Sequence, residues 1–178
     1  MKKSAVIFDI DGLLINSEPL WNKAASEIFR QYGILLTEQQ YALTTGLRSK
    51  EFVAHWLYEH KIPSSEYDRA EQRIIDLALT MIDKDANVMP GVEHIFQFFL
   101  QKEFKIGLAT SSPVALIELV KDKLGIRHII QASCSAQQLP LAKPHPQVYL
   151  DCAAALHTSP LACICFEDSV YGMIAAKA

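Results

Sequence analysis

Two aspartates lie two positions apart where an apolar run ends, near the start of the chain. In SAVIFDIDG, residues 4–12, Asp9 and Asp11 follow the apolar residues AVIF. Paired carboxylates repel each other, and charged groups are seldom left in such a place without a counter-charge. Mg²⁺ would supply that counter-charge, because it prefers a few carboxylates together with phosphate oxygens and water. Beside such a cation, Asp9 could act as a nucleophile toward phosphorus and Asp11 could carry a proton, provided that the rest of the sequence supplies groups that bind phosphate.

Polar or charged groups also follow the later apolar runs. The hydroxyls of TSS come directly after KIGLA, a lysine stands in AKPHP, and two carboxylates follow ACICF. Ligands of a parallel α/β sheet bind outside the carboxyl ends of its strands, so we expect these groups to converge with the first two aspartates. The lysine can offset the repulsion between a carboxylate and a phosphate, and the TSS turn can bind the transferring phosphoryl group. These groups are Thr110, Ser111, Ser112, Lys143, Glu167 and Asp168.

The elements that must position these groups alternate between strand-like and helix-like segments. Near-continuous apolar runs are what a parallel sheet covered on both faces requires. Helix-like segments follow between them, one of which begins with Ser112 as a plausible N-cap. The alternation predicts a doubly wound, Rossmann-like α/β sheet. The predicted strands are residues 4–9, 105–110, 128–134 and 162–168, and the predicted helices of this part are 90–103, 112–125 and 145–157.

A block of helices interrupts the alternation after the first strand. Amphipathic patterns predict helices near 19–32, 37–44, 49–60 and 66–83, with no convincing strand among them. Such an insertion leaves the sheet intact, so we expect an α-helical cap above its carboxyl edge. The predicted division is a catalytic core of residues 1–15 and 87–178, and a cap of residues 16–86. Three residues after the first aspartates could line the cleft beneath the cap, namely Asn16, Glu18 and Trp21.

Composition excludes several classes of protein. The chain has 178 residues, 50% of them hydrophobic, and a net charge of −3, which suits one globular domain with a small inserted subdomain. No basic run indicates nucleic acid or a membrane surface, and no apolar stretch approaches the roughly 20 residues that cross a bilayer. Four cysteines without a C-x-x-C pair predict reduced thiols and a cytoplasmic location. We expect a monomer that acts on a small phosphorylated metabolite.

The order of these groups resembles the haloacid-dehalogenase superfamily of phosphohydrolases, over the whole chain. Its four motifs are similar to FDIDG, LATSS, the lysine of AKPHP, and FEDS. The helical insertion resembles the subfamily with an α-helical cap. The resemblance implies a Mg²⁺-dependent enzyme in which Asp9 forms an aspartyl-phosphate and Asp11 is the general acid and base, with its carbonyl on the metal. It also implies phosphate binding by Thr110, Ser111 and Lys143, and metal binding by Asp9, Asp168 and, directly or through water, Glu167.

The resemblance extends to one branch of that superfamily. FDIDGLLINSEPLW, TGLR, GLATSSP and KPHPQVYLDCA are similar to bacterial hexitol and 2-deoxyglucose-6-phosphate phosphatases. It implies a sugar or sugar-alcohol monophosphate as substrate, with Arg48 of the cap facing its distal hydroxyls or a second phosphate. A β-phosphoglucomutase is the nearest alternative, but such mutases have histidine at Trp21 and a basic residue at Pro113. Dehalogenases lack the second aspartate.

The last ten residues, SVYGMIAAKA, have a helical pattern without a C-cap or a following strand. A Rossmann-like sheet of four strands would leave an apolar edge uncovered. We therefore expect a C-terminal strand to be missing from the chain, which would then be a truncated product or a fragment. An inactive protein of the same fold stays open as an alternative.

Overall fold

A computed structural model of the chain describes residues 2–178, which form a four-stranded parallel sheet and eight α-helices. The strand order is β3-β2-β1-β4, and every neighbouring pair is parallel. The predicted doubly wound α/β fold is confirmed. The strands β1–β4 are Ala5–Phe8, Lys105–Thr110, Ala132–Ser135 and Cys163–Phe166. The helices α1–α8 are Glu18–Phe29, Glu38–Thr44, Ser49–Glu59, Tyr67–Asp85, Val92–Gln101, Val114–Lys123, Gln147–Ala155 and Val170–Lys177.

Strand β1 lies in the middle of the sheet and is buried along its whole length. Successive side chains of a strand point to opposite faces. Val6 and Phe8 accordingly join the larger hydrophobic cluster on one face, and Ala5 and Ile7 join the smaller cluster on the other. Burial on both faces is the reason that β1 is a continuous apolar run. It also anchors the loop that begins at Asp9.

Helices α1–α4 all fall within residues 16–86, between β1 and β2, where the sequence predicted a helical cap. In α4, Ala70, Ile74, Ala78 and Ile82 recur every four residues and are buried, so the helix presents one apolar stripe to its neighbours. The same hydrophobic cluster contains Phe8 of the sheet and Ile82 of α4. The division into core and cap at residues 16 and 86 stays a prediction.

The third strand begins later than predicted, at Ala132 rather than at residue 128. Gly125, with φ of 64°, lies just past the end of α6, and the chain then turns, with the Ile129 N–H donating to the Ile126 carbonyl at 3.0 Å. Ile129 and Ile130 pack against the larger cluster from this turn. The apolar pattern was therefore correct about burial but wrong about strand conformation.

Two further findings concern membrane-spanning helices and the cysteines. None of the helices in residues 2–178 is long and apolar enough to cross a membrane. Cys134, Cys152, Cys163 and Cys165 are free cysteines, as predicted, and all four pack in or against the smaller hydrophobic cluster.

Candidate active site

A cavity lies at the carboxyl ends of β1, β2 and β4, beneath the helices that follow β1. It brings together nearly all of the residues that the sequence singled out. From the sheet side it is lined by Asp9, Asp11, Thr110, Ser111, Ser112, Lys143 and Asp168. From the side of the inserted helices it is lined by residues that include Glu18, Trp21, Asn22, Thr45 and Ser49.

Lys143 provides the buried positive charge of the site. It is 3% exposed, and its Nζ donates to Asp9 Oδ1 at 2.8 Å and also contacts Glu167 Oε1. The ammonium also lies 5.1 Å from the centre of the Tyr149 ring. Burial lowers the pKa of Lys143, but Asp9 and Glu167 outweigh burial and raise it above its ordinary value. The lysine is therefore a fixed cation next to the candidate nucleophile.

The Asp9 carboxyl is buried, and burial disfavours its ionised form. It is 6% exposed, and burial raises its pKa to about 7 in the absence of a metal. Lys143 lowers this pKa, whereas Glu167 and Asp11 raise it. One carboxylate oxygen has the lysine as partner. A further cation beside Asp9 would favour the ionised form that a nucleophile needs.

Glu167 uses both of its oxygens to hold other protein groups. Oε1 accepts from Lys143 and, at 2.7 Å, from the Tyr149 hydroxyl. Oε2 accepts from the N–H and the hydroxyl of Ser169, each at 3.0 Å. Gly172 permits this arrangement, because a Cβ there would lie 1.8 Å from Glu167 Oε1. Glu167 is thus suited to orienting Lys143, and the structure gives it less freedom to ligate a metal than the sequence suggested.

The Asp11 carboxylate is held by donors from two parts of the chain, the start of α1 and the turn that follows β2. Its Oδ1 accepts from the Ser17 hydroxyl at 2.6 Å and from the Trp21 indole N–H at 2.9 Å. Its Oδ2 accepts from the Ser112 hydroxyl at 2.6 Å, with Thr110 Oγ1 at 3.5 Å. The carboxylate therefore has a defined orientation between the sheet and the start of α1, from which it can pass a proton.

The donor set of the site suits a hard divalent cation. Carboxylate oxygens of Asp9, Glu167 and Asp168 lie within 4.8 Å of one another. Oxygen-only ligands are those that Mg²⁺ prefers, and the Asp168 side chain is exposed and makes no hydrogen bond with another residue of 2–178. Asp9 and Asp168 are therefore the carboxylates whose oxygens are most available as metal ligands.

Gly12 determines how closely the first loop approaches Asp168. Its φ is 71°, and a Cβ placed there would lie 2.1 Å from Asp168 Oδ2. We expect Gly12→Ala to displace Asp168 and to raise the Mg²⁺ concentration for half-maximal activity about 10- to 100-fold, the range seen when groups that orient metal ligands are lost. Titration of activity with Mg²⁺ measures this shift, with Gly33→Ala as the matched control, because Gly33 has φ of 74° but open space around it. An unchanged Mg²⁺ dependence of Gly12→Ala would contradict the role given to this contact.

The structure does not bring Arg48 into the cavity, where the sequence analysis expected it. The side chain is 7% exposed and pairs with Glu51. Its Nη1 donates to the backbone carbonyls of Ala136 and Leu139, on the loop that precedes Lys143. Five hydrogen bonds, to Glu51, Ala136 and Leu139, engage the guanidinium within the protein, so this geometry does not support substrate binding by Arg48, which stays a prediction.

Ser112 has a different role from the helix N-cap predicted for it. Pro113 is the N-cap residue of α6, and the N–H of Val114, the first residue of that helix, donates to Gln137 Oε1 at 3.2 Å rather than to Ser112. The Ser112 hydroxyl donates to Asp11 instead. Sequence reasoning also missed Ser17 and Tyr149 as partners of the site, and only their places near the first motif and after AKPHP hinted at them. Of the three residues expected to line the cleft, Glu18 and Trp21 do so, whereas Asn16 is exposed and lies outside the lining.

Comparison with known proteins identifies the family. The family described as haloacid dehalogenase-like hydrolase matches residues 3–178. The chain belongs to the haloacid dehalogenase-like hydrolases. It is 38% identical to hexitol phosphatase B of Escherichia coli K12 over 175 residues, which cover 98% of this chain and 79% of that protein. It is 29% identical to a phosphorylated carbohydrates phosphatase of Thermotoga maritima, over 97% of this chain and 80% of that one. The family and the phosphatase class predicted from the sequence are confirmed.

Solved structures of haloacid dehalogenase-like proteins agree with the fold. The structure of a β-phosphoglucomutase from Clostridium difficile superposes with a TM-score of 0.88 at 24% identity, covering 98% of this chain and 80% of that one. A putative phosphoglycolate phosphatase from Lactobacillus plantarum gives a TM-score of 0.84 at 25% identity, covering 99% and 83%. The first of these likenesses concerns the fold alone, and it does not favour mutase activity.

Proposed function

We propose that this haloacid dehalogenase-like enzyme is a Mg²⁺-dependent phosphatase of small sugar or sugar-alcohol monophosphates, with an aspartyl-phosphate intermediate. The observation that carries the proposal is the buried Asp9 beside Lys143, with Asp11 and Asp168 in the same cavity. The printed activities of the relatives from E. coli and T. maritima support the substrate class. The free thiols support a location in the cytoplasm.

The chemistry follows from the two aspartates. A carboxylate oxygen of Asp9 attacks phosphorus, and the bond between phosphorus and the ester oxygen breaks as Asp11 gives that oxygen a proton. In the second half, Asp11 takes a proton from water, which attacks the phosphorus of the aspartyl-phosphate. The bond between phosphorus and Asp9 breaks, inorganic phosphate leaves, and Asp9 is regenerated. The Ser17, Trp21 and Ser112 bonds keep Asp11 oriented through both steps.

Positive charge makes the approach of two anions possible. Bound Mg²⁺ would neutralise charge on the phosphoryl oxygens, and Asp9 and Asp168 are the side chains proposed to hold it. Lys143 supplies the protein's own cation, and Glu167 and Tyr149 hold that lysine in place. Thr110 Oγ1 accepts from the Ser112 N–H at 3.0 Å and so orders the turn proposed to bind phosphate.

We also propose that residues 16–86 act as a cap that excludes water during phosphorylation of Asp9. The loop around Gly46 in that segment already lies against the core. The Ser111 hydroxyl donates to the Gly46 carbonyl at 3.4 Å, and a Cβ at Gly46 would lie 3.1 Å from Ser169 Oγ. Glu18, Trp21 and the loop therefore enclose the space in which an ester would sit.

The proposed function is tested by phosphate release from a panel of sugar, sugar-alcohol and two-carbon phosphates. We expect release that requires Mg²⁺, is abolished by EDTA and is highest for a sugar or sugar-alcohol monophosphate. Glucose 1-phosphate should yield free glucose and phosphate rather than glucose 6-phosphate. Isomerisation without release would favour a mutase, and no release from a folded, Mg²⁺-loaded protein would overturn the proposal.

A further inference from the structure

One face of α1 forms part of the cavity wall. Glu18, Trp21 and Asn22 lie three and four positions apart on this helix, so their side chains share the face that lines the cavity. Trp21 is engaged, because it donates its indole N–H to Asp11. Glu18 is half-buried, and its carboxylate has no hydrogen bond or ion pair with any group in residues 2–178.

The position of Glu18 is unfavourable for a carboxylate. Burial raises its pKa, and the nearby charges of Asp168 and Asp11 raise it further. An acidic residue in the first turn of a helix is ordinarily stabilised by the helix dipole, which accounts for glutamate at this position of α1. It does not account for a carboxylate that lines a cavity with three other acids, Asp9, Asp11 and Asp168, and has no hydrogen-bond donor among residues 2–178. Such a group is available to accept from a ligand.

Around Glu18, the described part of the chain offers no positive charge for a second anion. Among the described residues that line the cavity, Lys143 is the one lysine or arginine, and Asp9 and Glu167 hold it on the sheet side. Arg48 is turned to the carbonyls of Ala136 and Leu139. A second phosphate or a carboxylate on the substrate would therefore meet Glu18 without a counter-charge.

We propose that Glu18 is a specificity-determining residue whose carboxylate accepts hydrogen bonds from hydroxyl groups of the leaving alcohol and repels a second anionic group there. The inference rests on the proposed phosphatase function and names the residue that would select monophosphates of neutral polyhydroxy compounds. Asn22 and Thr45, which line the same space, offer neutral hydrogen-bonding groups beside Glu18. A carboxylate can accept from two hydroxyls of a polyol at once, and charge strengthens each of these bonds.

The test compares wild type, Glu18→Gln and the matched control Glu27→Gln on three substrates. Glu27 lies on the same helix but outside the cavity, so its variant makes the same change of net charge. The substrates are sorbitol 6-phosphate, fructose 1,6-bisphosphate and p-nitrophenyl phosphate, which differ in hydroxyl groups and in charge. For Glu18→Gln we expect kcat/KM on sorbitol 6-phosphate to fall about tenfold. On p-nitrophenyl phosphate, which has no hydroxyl groups on the leaving alcohol, kcat/KM should fall only about twofold. The preference for monophosphate over bisphosphate should shrink by about tenfold.

The outcomes separate this inference from the proposed function. Because the charges of Glu18 and Asp168 interact, Glu18→Gln can change Mg²⁺ half-saturation, so all comparisons are made at saturating Mg²⁺ and the loss of kcat/KM should differ among the substrates. An equal loss on all three substrates, or no change on any of them, would overturn the role of Glu18 while leaving the phosphatase intact. Wild type that releases no phosphate would instead overturn the phosphatase and, with it, the inference. Thermal melting of both variants detects loss of folding, and Glu18→Asp then serves as the second variant, with the same expected direction on sorbitol 6-phosphate.

Discussion

Asp9→Asn is expected to abolish Mg²⁺-dependent phosphate release, by about four orders of magnitude or more, because the amide cannot form the phosphoaspartate. The variant keeps the shape of the side chain and leaves Lys143 paired with Glu167. Folding should therefore be preserved. Phosphate release from the best substrate of the panel measures the effect, and wild-type and variant protein purified in parallel exclude a contaminating phosphatase.

The same variant should be more stable than wild type when metal is removed with EDTA. Burial raises the pKa of Asp9 to about 7, so its contribution to folding is fully present below its unfolded pKa, near 4. That contribution is lost as the pH rises through about 7, because the folded protein must then ionise a buried group. The stability advantage of Asp9→Asn should grow from pH 4 to about pH 7 and stay constant above it.

Thermal melting of both proteins in EDTA at pH 5 and at pH 8 tests this sign. For a chain of this size, each 1 kcal/mol shifts Tm by about 2–4 °C. Asp122→Asn, which alters an acidic residue of a surface ion pair, serves as the control and should show no such pH-dependent gain. A variant less stable than wild type at pH 8 would show that the charge of Asp9 is already compensated without metal.

The activity of the same variant tests the role of Asp9. Residual Mg²⁺-dependent phosphate release by Asp9→Asn would rule out Asp9 as the nucleophile.

Lys143→Met is expected to lower both activity and stability more than any surface substitution. Removing the ammonium leaves Asp9 and Glu167 as buried carboxylates without their cation. Breaking a buried pair in this way costs about 3–5 kcal/mol, and loss of a group that stabilises transition-state charge costs about 10²–10³ in kcat. Methionine keeps the apolar length of the side chain, so loss of packing contributes little.

Urea unfolding and kcat measured on the same samples test this prediction. Lys121→Met is the matched control, because Lys121 pairs with the half-exposed Glu118 at 2.9 Å and such surface pairs contribute at most about 1 kcal/mol. Without the lysine, the pKa values of both carboxyls rise above their unfolded values. The destabilisation of Lys143→Met should therefore be smaller at pH 5 than at pH 8. If Lys143→Met lost no more stability than Lys121→Met, the result would contradict the role of Lys143 as the cation that compensates Asp9 and Glu167.

Local chemistry made much of this protein predictable from the printed residues. Strand β1 had to be continuous and apolar because both of its faces are buried, and this pattern located Asp9 at its end. The helices between β1 and β2 follow from their 3.6-residue periodicity, which α4 shows clearly. The carboxyl ends of parallel strands meet at one edge, so the grouping of Asp9, Thr110 and Asp168 followed once the strands were recognised.

Side-chain hydrogen bonds between segments far apart in the sequence were not predictable in the same way. Arg48 had the sequence context of a substrate-binding residue, yet its guanidinium binds carbonyls about ninety positions away. Ser112 had the context of an N-cap, yet its hydroxyl holds Asp11, 101 positions earlier. In both cases the side chain could have bound a ligand or a neighbouring backbone group, or a group distant in the sequence. Which of these it binds depends on how closely the two segments approach each other in the fold.

Residue types and their order therefore determined the sheet, the inserted helices, the position of the proposed nucleophile and the buried cation. Burial and charge along single elements specify these features, and both can be read from short stretches of chain. Tertiary structure alone decided that Glu167 holds Lys143, that Gly12 lets Asp168 approach, and that Glu18 lines the cavity without a partner. These features depend on distances between segments far apart in the chain, which a linear pattern does not contain.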